Sequence, residues 1–325
     1  MKKALIIGID YYDHVKKLNG CVNDSYDVKK VFERHGDGTR NFDVKHIPVT
    51  DTASKITRRD LKDLVEELYR DDCEIALFYF SGHGFIESTG GYLITSECTD
   101  GDDGFALNDL LQIANESPSK SKVIIIDSCH SGIMGNTAKD SDIAKISEGL
   151  TILTASSADQ YAMEKDGSGI FTKLLVDSLS GGAANLIGEI SPGGVYAHID
   201  KSLGSWEQRP IFKTNVKSFT VLRKVTPSIP LTDLQRIIDL FPTRDYKFPL
   251  DPTYEPERAG NESRKIPLPI KEHTDKFSIL QKMNRINLVI PEGAPHMWHA
   301  AMNCKHCKLT TLGEHYWNLV KNNRI

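Results

Sequence analysis

Four β-branched residues in succession, Val123-Ile-Ile-Ile126, break off at Asp127-Ser-Cys129-His-Ser-Gly132. An unbroken apolar run of this kind suits a strand buried on both faces, and such strands belong to parallel sheets covered by helices. A second run has the same form: Ile75-Ala-Leu-Phe-Tyr-Phe80 stops at Ser81-Gly-His83-Gly84. As neighbouring parallel strands, the two would bring Cys129 and His83 to one carboxyl edge, where open α/β sheets keep their sites.

The rest of the chain alternates in the way such a sheet needs. Strands are predicted at residues 3–9, 42–49, 74–80, 123–126 and 150–155. A turn at 18–24 leads into a helix over 25–34, with Val28, Val31 and Phe32 at helical spacing and His35-Gly36 as its stop. Asp51, Thr52 and Ser54 offer N-caps for a helix reaching residue 69. Residues 90–95 suggest a hairpin, 131–148 a loop, and 107–114, 171–179 and 195–203 further helices. Segments 209–216 and 218–222 are strand candidates that close the sheet. The fold class predicted is α/β, a mostly parallel sheet flanked by helices. Pro227 and Pro230 mark a boundary, so residues 1–225 form one domain and 226–325 a second.

A thiol and an imidazole on adjacent strand ends are the minimum for acyl transfer. The thiolate is a strong nucleophile, and the imidazole takes its proton and returns it to the leaving amine. Glycines flank His83, so the Gly84 N–H, with that of Cys129, can point at a developing oxyanion. His130, next to Cys129, would point the other way on an extended strand end.

These residues carry a resemblance. Tyr79-Phe-Ser-Gly-His-Gly84 and Asp127-Ser-Cys-His-Ser-Gly132 resemble the His and Cys motifs of the caspase-like cysteine peptidases, in the branch of metacaspases and bacterial caspase homologues. Residues 4–12, 18–24, 154–160 and the Gly169-Ile-Phe-Thr172 motif match in order, so the resemblance covers about residues 1–222. It implies a His83–Cys129 dyad and protein substrates. It also implies a pocket for the P1 side chain lined by Asp24 and Asp127, with Cys21 and Ser81 as further walls and 159–162 on the S2–S4 side. Two carboxylates match the rigid fork of a guanidinium better than an ammonium, so cleavage after an accessible Arg, less well after Lys, is the expectation. Helix capping is the competing role for Asp24, and a hydrogen-bonded strand-end acid that for Asp127.

Control is implied as well. Residues 133–149 hold Lys139 and Lys145 but no Arg, so activation by a ligand is expected over self-cleavage there. Metacaspases commonly use Ca²⁺. Asp100-Gly-Asp-Asp103 falls short of an EF-hand pattern and reads as a solvated acidic turn.

The second domain reads as a helix over 231–240, a Pro- and charge-rich linker over 242–269, and a winged-helix-like α+β unit over 271–325. In that unit 274–285 is a helix, 287–291 a strand, 293–308 a hairpin and 309–320 the last helix, with 277–288 as the recognition-type stretch and 289–309 as the wing. A nucleic-acid partner is not expected. Residues 226–325 carry 14 Lys and Arg against 11 Asp and Glu, and 1–225 carry 26 against 33, too little basic excess for a phosphate-binding face. Bacterial caspase homologues often carry a C-terminal sensor, commonly in anti-phage defence. By that likeness Arg285, His296, Trp298, His299 and Trp317 are candidates for a small-molecule signal such as a nucleotide second messenger. A Zn²⁺ site at Cys304 and Cys307 with His296 and His299 is not expected, because the His pair lacks the usual spacing. No metal ligand set is assigned. The competing function is an adaptor or DNA-bound regulator in which proteolysis is secondary.

No apolar run reaches membrane-spanning length. The apolar start at residues 4–9 is broken by Asp10 and Asp13 and reads as a strand, not a leader. Six cysteines without a secreted spacing point to a reduced, cytoplasmic protein.

Overall fold

The two apolar runs lie side by side. In the computed structural model, which describes residues 1–87, 90–128, 136–137, 140–144, 146–155, 164–165, 168–204, 209–257 and 266–325, they are strands β3 (Ile75–Ser81) and β4 (Ser121–Asp127). They pair in parallel from Ile75↔Ser121 to Ser81↔Asp127. With β1 (Lys2–Ile9), β2 (Asp43–Val49), β5 (Leu150–Thr154) and β6 (Ile211–Asn215) they build a six-stranded sheet in the order β6-β5-β4-β3-β1-β2. All neighbours are parallel except β5 and β6.

Both faces of the sheet are covered, which explains why β3 and β4 show no polar alternation. Leu5, Ile7, Phe78, Phe80, Ile124 and Ile126 pack with helices α2 (Arg58–Arg70) and α3 (Leu107–Glu116). Ala4, Ile6, Leu77, Tyr79, Val123 and Ile125 pack on the other side with α1 (Cys21–Glu33), α4 (Ile170–Asp177) and α5 (Pro192–Ser202). Alternate residues of one strand therefore feed two separate apolar layers.

Several boundaries differ from the sequence reading. Helix α1 starts at Cys21, inside the expected turn, because the Asp10 carboxylate accepts from Cys21 N at 2.9 Å and anchors the first turn. It ends on an extended Arg34, not on a glycine stop. Asp51 and Ser54 close a turn of their own. The cap of α2 is Thr57, which forms a reciprocal capping box with Asp60. Residues 218–222 add no strand to the main sheet. Arg223–Lys224 pairs instead with Glu189–Ile190, and Lys2 Nζ donates to the Val221 carbonyl.

Met1–Thr226 and Pro227–Ile325 are separate compact units. The second contains α6 (Leu231–Gln235), α7 (Ile237–Leu240), β7 (Phe248–Pro249), α8 (Lys271–Arg285), β8 (Val289–Glu292), α9 (Met297–Met302), β9 (His306–Leu309) and α10 (Thr311–Lys321). The small sheet runs β7-β9-β8, antiparallel throughout. Two expectations are corrected. The stretch joining β8 and β9 is not a hairpin wing, because Met297, Ala300 and Ala301 recur at helical spacing and bury the face of α9. Part of the expected linker is core: Phe248, Leu250 and Tyr254 are buried, and the Tyr254 ring stacks on His273 at 4.3 Å.

Glycine is required at the end of β1. A Cβ on Gly8 would run into the Cys21 carbonyl oxygen and stand 2.7 Å from Ser25 Cβ, so α1 can lie this close only without a side chain there. Gly8→Ala is expected to lower unfolding stability by about 1–3 kcal/mol in a urea titration, the range for overpacking a close-packed interior. A midpoint equal to wild type would contradict this packing.

Candidate active site

Parallel register brings the ends of three strands level. Gly8 of β1 is partnered by Ser81 of β3, and Ser81 by Asp127 of β4. His83 stands two residues beyond Ser81, and Cys129 two residues beyond Asp127 in the sequence. Cys129 lies outside the described residues, as do His130, Lys139, Lys145 and 159–162.

His83 is held by two groups from the segment after β1. Its backbone N–H donates to the Tyr12 hydroxyl at 2.9 Å, and its Nε2 lies 2.7 Å from the Lys16 carbonyl oxygen. A carbonyl only accepts, so Nε2 carries the hydrogen and Nδ1 of the neutral ring keeps the lone pair. The Tyr12 and His83 rings meet at 4.8 Å. Tyr12 is 1% exposed, and burial pushes its hydroxyl well above the ordinary phenol range, so it stays a neutral partner. Gly82 is required by this contact, since a Cβ there would stand 2.7 Å from the Tyr12 oxygen.

Gly84 opens a hairpin in which Gly84–Glu87 pairs with Gly90–Leu93. Ile94 N donates to the His83 carbonyl at 3.0 Å, which makes Gly84 and Leu93 a pair that exchanges no ladder bonds. The hairpin ladder thus leaves the Gly84 N–H for another acceptor.

Beside this edge sit two buried acids. Asp24, in the first turn of α1, is 3% exposed, and Asp127, the last residue of β4, is 6% exposed. They flank Gly169, just before α4. Gly169 N donates to Asp24 Oδ2 at 3.0 Å, and a Cβ on Gly169 would run into Asp127 Oδ2 and stand 3.2 Å from Asp24 Oδ2. The Thr172 hydroxyl donates to Asp127 Oδ2 at 2.7 Å. Asp24 does not cap α1, whose N-cap position is Gly20.

Cys21 and Ser81 belong to the same cluster, both buried. Burial pushes the Cys21 thiol far above its ordinary range, and the carboxylates of Asp127, Asp10 and Asp24 add to this, against an opposing hydrogen bond with Ser81. Cys21 is therefore held as a neutral thiol. Tyr12, Lys16, Gly169 and Thr172 carry the supporting contacts that motif reading left without a role. A Tyr-Tyr pair ending a strand motif and a Gly-x-x-Thr at a helix start are visible in sequence, but their long-range partners are not.

The remaining candidates lie on other elements. The Asp100–Asp103 turn is closed on itself: Asp103 Oδ2 accepts from Thr99 N at 2.7 Å and from the Thr99 hydroxyl at 2.9 Å. Arg285 is exposed at the end of α8, and His296, Trp298 and His299 lie at the start of α9, where His296 and Trp298 meet the His299 ring at 5.7 and 5.1 Å. Trp317, on α10, donates its indole N–H to the Phe241 carbonyl at 2.6 Å. Cys304 is exposed, whereas Cys307 is buried in β9 and its thiol is pushed up to about 12 by burial. Among the described residues no three His, Cys, Asp or Glu converge as a metal site, and no helix is long and apolar enough to cross a membrane. Lys271, Lys276 and Lys282 of α8 pair with Asp275, Glu272 and Asp233.

Metacaspase-6 of Arabidopsis thaliana is 34% identical over 155 residues, 43% of this chain and 40% of that protein. Metacaspase-1 of Plasmodium falciparum is 30% identical over 152 residues, 40% of this chain and 24% of that protein. The match thus spans well under half of the length of either relative. The structure of caspase-1 from Spodoptera frugiperda shares the fold, with a TM-score of 0.51 at 14% identity over 69% of this chain and 90% of that one. The caspase-domain model of peptidase family C14 matches residues 1–218, well over half the chain, and on that match the protein belongs to the caspase-domain peptidases.

Proposed function

We propose that this protein is a cysteine endopeptidase that cleaves after basic residues, Arg before Lys, with His83 and Cys129 as its dyad. The observation that carries the reading is the pair of buried acids, Asp24 and Asp127, about Gly169 at the same sheet edge as His83. Two carboxylates at such a site favour a cation, and a planar fork of donors satisfies both better than a point charge. In the reaction, His83 Nδ1 takes the Cys129 proton and the thiolate attacks the carbonyl carbon after the basic residue. The N–H groups of Gly84 and Cys129 receive the oxyanion. The imidazolium protonates the leaving amine, and water then hydrolyses the thioester with His83 again as base.

Residues 227–325 form a separate unit that the family match does not include, which supports a regulatory role for it. A ligand of the nucleotide second-messenger class, bound there, releases the protease in the cytoplasm, in a setting such as bacterial anti-phage defence.

Purified protein, assayed on fluorogenic peptides differing only at P1 and with a panel of nucleotides and Ca²⁺, is expected to cleave after Arg. Cys129→Ala abolishes this activity, and Asp127→Ala lowers kcat/KM for Arg by about 100-fold or more, the cost of a lost charged hydrogen-bond pair in a buried site. Cleavage after Asp would refute the acidic pocket while keeping the dyad.

Tyr12→Phe removes the acceptor of the His83 N–H. It is expected to lower kcat by about 10-fold with KM little changed, because an unsatisfied buried donor costs about 1–3 kcal/mol and displaces the imidazole. Equal kcat in wild type and variant would show that Tyr12 does not position His83.

A further inference from the structure

The contacts around Asp127 form a chain with a direction. The Tyr79 hydroxyl lies 2.7 Å from Thr172 Oγ1, and Thr172 Oγ1 lies 2.7 Å from Asp127 Oδ2. An ionised carboxylate only accepts, so the Thr172 hydrogen points to Asp127. Thr172 Oγ1 then accepts from the Tyr79 hydroxyl. Tyr79 is fully buried in β3 and Thr172 is 1% exposed, so neither hydroxyl turns to solvent instead. The chain starts in a rigid strand, crosses the first turn of α4 and ends on one named oxygen.

Fixing one oxygen of a carboxylate fixes the plane in which the group presents its lone pairs. That plane matters unequally to the two basic side chains. A guanidinium binds through parallel N–H groups in its own plane and needs the carboxylate coplanar, while an ammonium is a compact charge with rotatable donors. Gly169 lies against both acids, and a side chain there would run into the same Asp127 oxygen that Thr172 holds.

We propose that Thr172, anchored by Tyr79, is a positioning residue that sets the plane of Asp127 and thereby the preference for Arg over Lys at P1. The inference rests on the reading of Asp24 and Asp127 as the acids that receive the P1 side chain. Thr172 does not touch the substrate; it acts through Asp127.

The test uses the full-length chain and two fluorogenic peptides identical but for Arg or Lys at P1. Thr172→Val keeps the shape and removes the donor, Thr172→Ser keeps the donor, and Tyr79→Phe removes the anchor alone. Thr172→Val is expected to lose about 10- to 100-fold in kcat/KM on the Arg peptide, mostly as a rise in KM, in keeping with one hydrogen bond to a charged group. It loses less on the Lys peptide, so the Arg-to-Lys ratio falls. Thr172→Ser retains both the rate and the ratio, and Tyr79→Phe shows a several-fold fall in the ratio with the melting temperature of each variant recorded alongside. An equal loss on both peptides, or a Thr172→Ser variant as poor as Thr172→Val, overturns the proposal by showing a packing role. If wild-type protein cleaves neither peptide but cleaves others, the P1 assignment itself fails and this inference with it. If wild type prefers Arg and Thr172→Val prefers it equally, this inference alone fails.

Discussion

The parallel pairing of β3 with β4 is the constraint on which the site depends. Its register sets Ser81 beside Asp127, and β1 sets Gly8 beside Ser81. A slip of one residue would turn every side chain of a strand to the opposite face. Tyr79 would then leave the layer it shares with Phe171 and Leu175, and its hydroxyl would lose Thr172. The two apolar layers therefore hold the polar edge in register: burial of Phe78 and Phe80 on one side and Leu77 and Tyr79 on the other leaves the strands one way to pair.

What the sequence disclosed follows from range. The strands and the two edge motifs were legible because a buried parallel strand is written locally as a continuous apolar run, and its end as a sudden change to small and polar residues. Helix starts were less legible. Helix α1 begins at Cys21 because Asp10, on another element, supplies an acceptor, and no window around residue 21 contains that fact. The same holds at the site. Helix capping competes as a role for Asp24 because Asp is a good cap, but its carboxylate reaches Gly169, 145 positions away. Residues 218–222 looked like a strand by composition, and the edge was already taken by β6. In the second unit, Met297, Ala300 and Ala301 form too short a stripe to outweigh the winged-helix pattern, which places a hairpin there.

The electrostatics of the site sort its groups by state. Tyr12 and Tyr79 are buried deeply enough that their hydroxyls remain neutral, which keeps them as hydrogen-bonding partners of fixed sense. Cys21 is kept as a thiol by burial and by the surrounding acids. Beside these neutral groups, the two carboxylates have their geometry set by donors from the start of α4, a backbone N–H and a hydroxyl. The second unit shows the reverse economy: the lysines of α8 meet carboxylates within reach of one side chain, which leaves that helix with little net field of its own.

Gly169 has an evolutionary consequence. Enzymes often acquire a new substrate by filling or emptying a pocket one methyl at a time, but a residue larger than glycine here meets Asp127 before it can narrow anything. Graded change at this position is closed to selection. Under the proposed role of Asp24 and Asp127, a lineage built on this frame alters its taste by exchanging a carboxylate or the hydroxyl that orients it, so its descendants should differ by kind of charge rather than by size of side chain.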